Sequence, residues 1–176
     1  MKAIKIGTKV EIFNDTVTTY SKLPAKTYII KFEKMSGFYL DEYADMAVKE
    51  DKVYGGHMQK VEKVMRSYGQ FDRNLGVILS GSKGIGKSMF AKLLSIEALK
   101  NIIPVIIVDK YILGIASYIE AIDQSVMVLF DEFDKTFGDV KVSDGEVEAQ
   151  AALLELFDGI TSGKNCLSLP AMILEN

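Results

Sequence analysis

The chain has 176 residues, 24 of them acidic and 21 basic, for a formal net charge of −3. Hydrophobic residues make up 48% and charged residues 26%, the balance of a globular chain with one good core and at most a small extra subdomain. This excludes a protein that coats nucleic acid with its whole surface, though it leaves room for a local basic patch.

No stretch approaches the roughly 20 apolar residues of a membrane span, so no membrane partner is expected. The opening MKAIKIGTKVEIF lacks the apolar core of a signal peptide. Cys166 is the only cysteine, so no disulfide can form within the chain. Both features fit a reducing cytoplasm, and a cytoplasmic location is the expectation.

Residues 1–45 read as a small β-rich N-terminal segment. Val10-Glu-Ile-Phe13 and Tyr28-Ile-Ile-Lys-Phe32 have strand composition, and Phe38-Tyr-Leu40 is a third short candidate. Val53-Tyr-Gly-Gly56 is a turn signal. Met58, Val61, Met65 and Tyr68 then recur at helical spacing and predict an amphipathic helix over about 57–69. His57, the only histidine, reads as a residue at the start of that helix. It has no visible partner set, which supports neither a zinc site nor a histidine-based triad.

The run Gly76-Val-Ile-Leu-Ser80 predicts a strand, and Met89–Leu99 predicts a helix. Between them stands Gly81-Ser-Lys-Gly-Ile-Gly-Lys87-Ser88, which fits G-x-x-x-x-G-K-[ST] at every fixed position. A glycine-rich loop between strand and helix is the context that makes this motif a phosphate site. The glycines Gly81, Gly84 and Gly86 let the backbone curl, so that N–H groups from Ser82, Lys83, Ile85 and the first helical turn to Met89 converge on phosphate oxygens. The helix N-terminus adds partial positive charge. Lys87 is expected to reach the β- and γ-phosphates of ATP, and the Ser88 hydroxyl to ligand Mg²⁺.

Ile102-Ile-Pro-Val-Ile-Ile-Val108 is a buried-strand candidate with Pro104 near its start, and 111–122 predicts a helix. Val126-Met-Val-Leu-Phe130 is a short, bounded apolar run, as a buried parallel strand should be. A polar loop at 139–145 and a helix at 146–157 follow. Strands alternating with helices imply an α/β fold, a doubly wound parallel sheet of the P-loop NTPase kind with flanking helices.

Asp131 and Glu132 close the run at 126–130. In a parallel sheet, strand carboxyl ends face the ligand crevice. Asp131 is thereby expected to hold Mg²⁺, directly or through water. Glu132 is expected to orient and deprotonate the attacking water.

Phe130-Asp-Glu-Phe-Asp-Lys135 resembles the Walker B segment of AAA-type ATPases, and Gly81–Ser88 resembles their Walker A loop. Leu153–Gly163 resembles the helix that follows in that family. Asp51-Lys-Val-Tyr-Gly55 resembles the D-x-V-x-G element that cups adenine, which would add Val53, Tyr54 and Gly55 to the nucleotide site. The resemblance covers about 51–164. It implies an ATP-driven machine, usually a homo-hexameric ring, that remodels a protein or nucleic-acid partner. It also implies a pore loop at 109–114, where Tyr111 either grips substrate or packs at the start of a helix.

The family pattern breaks after the 146–158 helix. There the family adds a fourth strand ending in a polar sensor of the γ-phosphate, then an arginine finger, a fifth strand and a helical lid. Here only 165–176 follow, interrupted by Pro170, and no sensor motif is readable. The only arginines are Arg66 and Arg73, both ahead of the phosphate loop. Read back through permitted codons and shifted by two nucleotides, Lys164–Asn176 becomes KLFVITCNDFGK, a credible buried strand, so the tail is expected to be out of frame. On this reading the sheet is left short at one edge.

The expected organisation is thus a β-rich segment at 1–45, an incomplete AAA-type ATP-binding core at 46–164 and an atypical tail at 165–176. The expected activity is ATP hydrolysis coupled to remodelling, impaired in this chain, which is expected to form no stable hexamer. The alternatives are a non-catalytic nucleotide-binding interaction module or truncated ring subunit, and a helicase-loader-type ATPase on DNA. A small-molecule kinase is disfavoured, because no phosphate-clamping arginine lies beyond the loop.

Overall fold

A computed structural model describes residues 1–14, 16–47, 55–70, 74–79, 81–82, 84–110, 112–130 and 166–170. The expected loop at 139–145 and helix at 146–157 lie outside them.

The β-rich N-terminal composition resolves into two hairpins with different attachments. Strands β1 (Lys2–Ile6) and β2 (Lys9–Phe13) pair antiparallel as a sheet of their own. Strands β3 (Thr27–Glu33) and β4 (Gly37–Tyr43) also pair antiparallel, but β3 continues into the main sheet by parallel pairing with β6 (Val105–Val108). The main sheet is completed by β7 (Val126–Phe130), β8 (Cys166–Pro170) and β5 (Leu75–Gly76), in the order β4-β3-β6-β7-β8-β5. From β3 to β5 all neighbours are parallel.

Two expectations about the sheet are corrected. The strand expected at 76–80 is only Leu75–Gly76, and 77–79 run on without pairing. Cys166–Pro170, expected as an atypical tail, is a strand inside the sheet between β7 and β5, pairing Leu167 with Met127 on one side and Leu75 on the other. Pro170 is the last residue of that strand and lies beyond the stretch that pairs with β5.

Because side chains alternate along a strand, a sheet covered on both faces needs apolar residues at every position. β6 and β7 meet this demand with Val-Ile-Ile-Val and Val-Met-Val-Leu-Phe, all buried. Val105, Ile107, Met127 and Leu129 face one way, into a core with Val61 and Tyr68 of helix α1 (His57–Gln70) and Phe90, Leu94 and Ala98 of helix α2 (Lys87–Lys100). Ile106, Val108, Val128 and Phe130 face the other, against Ile115 and Ile119 of helix α3 (Ile115–Glu120). The β3–β4 hairpin is fastened to α3 by Phe38, whose ring stacks on Tyr118 at 5.2 Å while Phe32 meets it edge-on at 5.0 Å.

Helix α2 ends in a Schellman closure: Ile102 N–H donates to the Leu99 carbonyl and Ile103 N–H to that of Ala98. The residue in the left-handed position is Ile102, at φ 61° and 80% exposed. A β-branched side chain there is strained.

Candidate nucleotide site

Parallel pairing makes β5 and β7, which flank β8, run in the same direction. Their carboxyl ends therefore share one end of the sheet, the end that forms the ligand crevice in such folds. The chain leaving β5 enters the glycine-rich loop, and the chain leaving β7 enters Asp131-Glu132. Both acidic residues lie outside the described residues, as do Lys83, Val53, Tyr54 and Tyr111.

The loop's glycines are there for a reason the backbone shows. Gly81 has φ 136°, and a Cβ on it would stand 2.1 Å from Ile85 Cδ1. Gly86 has φ 93°, and a Cβ on it would stand 2.8 Å from His57 Nε2. No side chain with a Cβ fits either position without displacing its neighbour.

Gly86 is also the N-cap of α2, with no side-chain capping bond. The first helical bond is from Phe90 N–H to the Gly86 carbonyl, so the N–H groups of Lys87, Ser88 and Met89 precede the helical ladder. Ser88 is exposed in this first turn. Lys87 donates from Nζ to the carbonyls of Gly81 and Ser82, the latter at 3.0 Å, so its ammonium is folded onto its own loop. Unspent N–H groups at a helix N-terminus and an ammunition of one lysine charge inside a tight turn form a cradle for anionic oxygens. A triphosphate with Mg²⁺ fits this donor set: Lys87 and the backbone would hold phosphate, and the Ser88 hydroxyl would be the metal's protein oxygen here. Among the described residues no cluster of three His, Cys, Asp or Glu side chains offers a metal site.

Beside the loop lies a cleft of about 370 Å³, between α1 and the first turn of α2. Sequence reasoning missed His57 here. No local signal could have found it, because the room for its ring is made by Gly86, where a Cβ would crowd His57 Nε2. Gly55, the described member of the expected adenine element, is exposed at φ 82° directly ahead of that helix.

A parallel sheet with helices on both faces and a glycine-rich loop running from its β5 edge into a helix define a P-loop NTPase fold. The description "ATPase family associated with various cellular activities (AAA)" matches residues 77–171, more than half of the chain, and the protein belongs to that family. The match reaches past β8, so that strand lies within the family region. No curated protein and no solved structure matches the chain. Among the described residues, no helix is long and apolar enough to cross a membrane.

Proposed function

We propose that this chain binds ATP with Mg²⁺ and belongs to a machine that couples ATP hydrolysis to remodelling of a protein or nucleic-acid partner. The observation that carries the reading is the Gly81–Ser88 cradle at the N-terminus of α2, within the family region. In it Lys87 neutralises β- and γ-phosphate charge and Ser88 supplies a metal oxygen. Asp131 completes the Mg²⁺ site and Glu132 draws a proton from the attacking water, both roles taken from their place directly after β7 in the sequence. Bound Mg²⁺ supplies charge neutralisation across the phosphates.

Hydrolysis by this chain is slow on this reading, and the specific observation is its arginine content. Arg66 and Arg73 both precede the loop. An arginine finger can be worth roughly 10³–10⁵ in phosphoryl transfer. Nucleotide binding without robust turnover, as in a ring subunit that depends on its neighbours, is the second reading this favours.

The test is titration of the purified chain with a fluorescent ATP analogue, with and without Mg²⁺, alongside phosphate release at matched concentration. Mg²⁺-dependent binding with little release is expected. Glu132→Gln should keep nucleotide, because it removes a base and not a phosphate contact, while Asp131→Asn should blunt the Mg²⁺ dependence. Absence of ATP binding by the parent chain would overturn the reading.

A further inference from the structure

The cleft beside the phosphate loop has a wall that the loop motif does not supply. Helix α1 lines it with His57, Lys60, Lys63 and Val64, a spacing that puts them along one side of the helix. Lys87 and Phe90 stand opposite, and Val64, Val77 and Leu79 contribute apolar floor. The volume, about 370 Å³, falls in the range of small-ligand sites.

Three lysines converge on this cleft. Lys60 and Lys63 are exposed, and among the described residues no ion pair joins either of them, or Lys87, to a carboxylate. Unpaired lysines are common elsewhere, since among the described residues Lys2, Lys5, Lys22, Lys34, Lys92 and Lys110 also lack an ion pair; what marks Lys60 and Lys63 is that they share one cleft with Lys87. Three ammonium groups lining one cleft make its potential positive and favour an anionic ligand there. The cleft opens onto the glycine loop, where an anionic chain would begin.

Resting on the ATP-binding reading, we propose that α1 is a second phosphate-binding wall, in which Lys60 and Lys63 attract the polyphosphate chain of the nucleotide held by the loop. His57 acts as a positioning residue, its half-buried ring set against Gly86. These two lysines add cationic charge to that of the loop itself. Because both ammonium groups are solvated, their pull is modest, screened by salt and proportional to ligand charge.

The experiment compares the parent chain with the Lys60→Gln, Lys63→Gln double variant and a Lys60→Arg, Lys63→Arg control. The probes are fluorescent ATP and ADP analogues, with adenosine as competitor, each across a salt series. The double glutamine variant should bind the ATP analogue roughly 5- to 20-fold more weakly at low salt, with a shallower salt dependence. Adenosine affinity should be unchanged, and the arginine control should bind as the parent does. A merely structural role would move adenosine and ATP together and leave the salt slope alone, and that result overturns the proposal. Equal ATP affinity and salt slope in parent and double variant also overturns it while leaving the ATP-binding reading standing. A parent chain that binds no ATP defeats both. Matching thermal midpoints for the variants confirm that these exposed substitutions preserve the fold.

Discussion

Lys87 donates a hydrogen bond from its Nζ to the Ser82 carbonyl at 3.0 Å, so this cation is held by the loop that carries it. On the proposed reading, a phosphate entering the loop would exchange these neutral carbonyl acceptors for charged oxygens, which make stronger bonds to an ammonium. The loop's resting contacts are thus weaker than those they give way to.

Lys87→Ala should abolish binding of a fluorescent ATP analogue or weaken it by at least about two orders of magnitude, since a charge-assisted contact at a preorganised site is worth roughly 1.5–3 kcal/mol and further loop order is lost with it. The fold should persist, because among the described residues the hydrogen bonds of this half-buried lysine go to its own loop. Titration beside a denaturation curve checks both halves. Unchanged affinity would remove the phosphate-loop reading.

Gly86→Ala meets two obstacles, the positive φ and the His57 ring. The first costs about 1–2 kcal/mol for a residue with a Cβ. The second is a contact that His57→Ala removes. The double variant should therefore recover part of the stability and nucleotide affinity lost by Gly86→Ala, and not all of it. A double-mutant cycle by denaturation measures the coupling; additive losses would show that His57 is not the obstacle.

Ile102→Gly should stabilise the protein by about 1 kcal/mol. Glycine relieves the left-handed strain at the end of α2, and an 80% exposed isoleucine forfeits little burial. The gain is reduced by the extra freedom of glycine in the unfolded chain. Urea denaturation of the two proteins decides it, and a loss of stability would mean that the isoleucine side chain packs more than its exposure allows.

Burial raises the Tyr118 phenol above its ordinary value of 10.0, so the fold prefers the neutral form. The stability from that preference is fully present below pH 10.0 and is lost as pH rises through the higher folded-state value. Tyr118→Phe keeps a ring against Phe38 and has nothing to ionise. Its stability should fall less steeply than the parent's above that pH. The fall should not vanish, since Tyr28 is raised in the same direction, chiefly by burial. Denaturation midpoints near neutrality and in alkali compare the two.

What the sequence disclosed follows from what is local. The period of Met58, Val61, Met65 and Tyr68 gives α1 nearly to its ends, and the apolar run 126–130 coincides with β7. The phosphate loop is legible because its backbone demands glycine at fixed places, and the substituent test at Gly81 and Gly86 shows the demand. Pairing is another matter. Nothing within 27–33 announces that β3 lies beside β6, because a parallel ladder is made of backbone bonds that any apolar strand can supply. The same indifference hid β8: Cys166–Pro170 carries no periodic signal of its place, yet its backbone completes two ladders. His57 escaped for a third reason, since its neighbour Gly86 is near only in space.

The pairing of Leu75 with Leu167 carries a consequence for the order of assembly during synthesis. Among the described residues β5, the strand that leads into the glycine-rich loop, has one sheet neighbour, and that neighbour is encoded more than ninety residues later. A nascent chain can therefore close β3 on β6 and β6 on β7 while β5 still waits unpaired, since such long-range contacts are the last to be rewarded. Nucleotide offered to the growing chain would meet a loop attached to no sheet, and would find its site only after Cys166–Pro170 has joined β7.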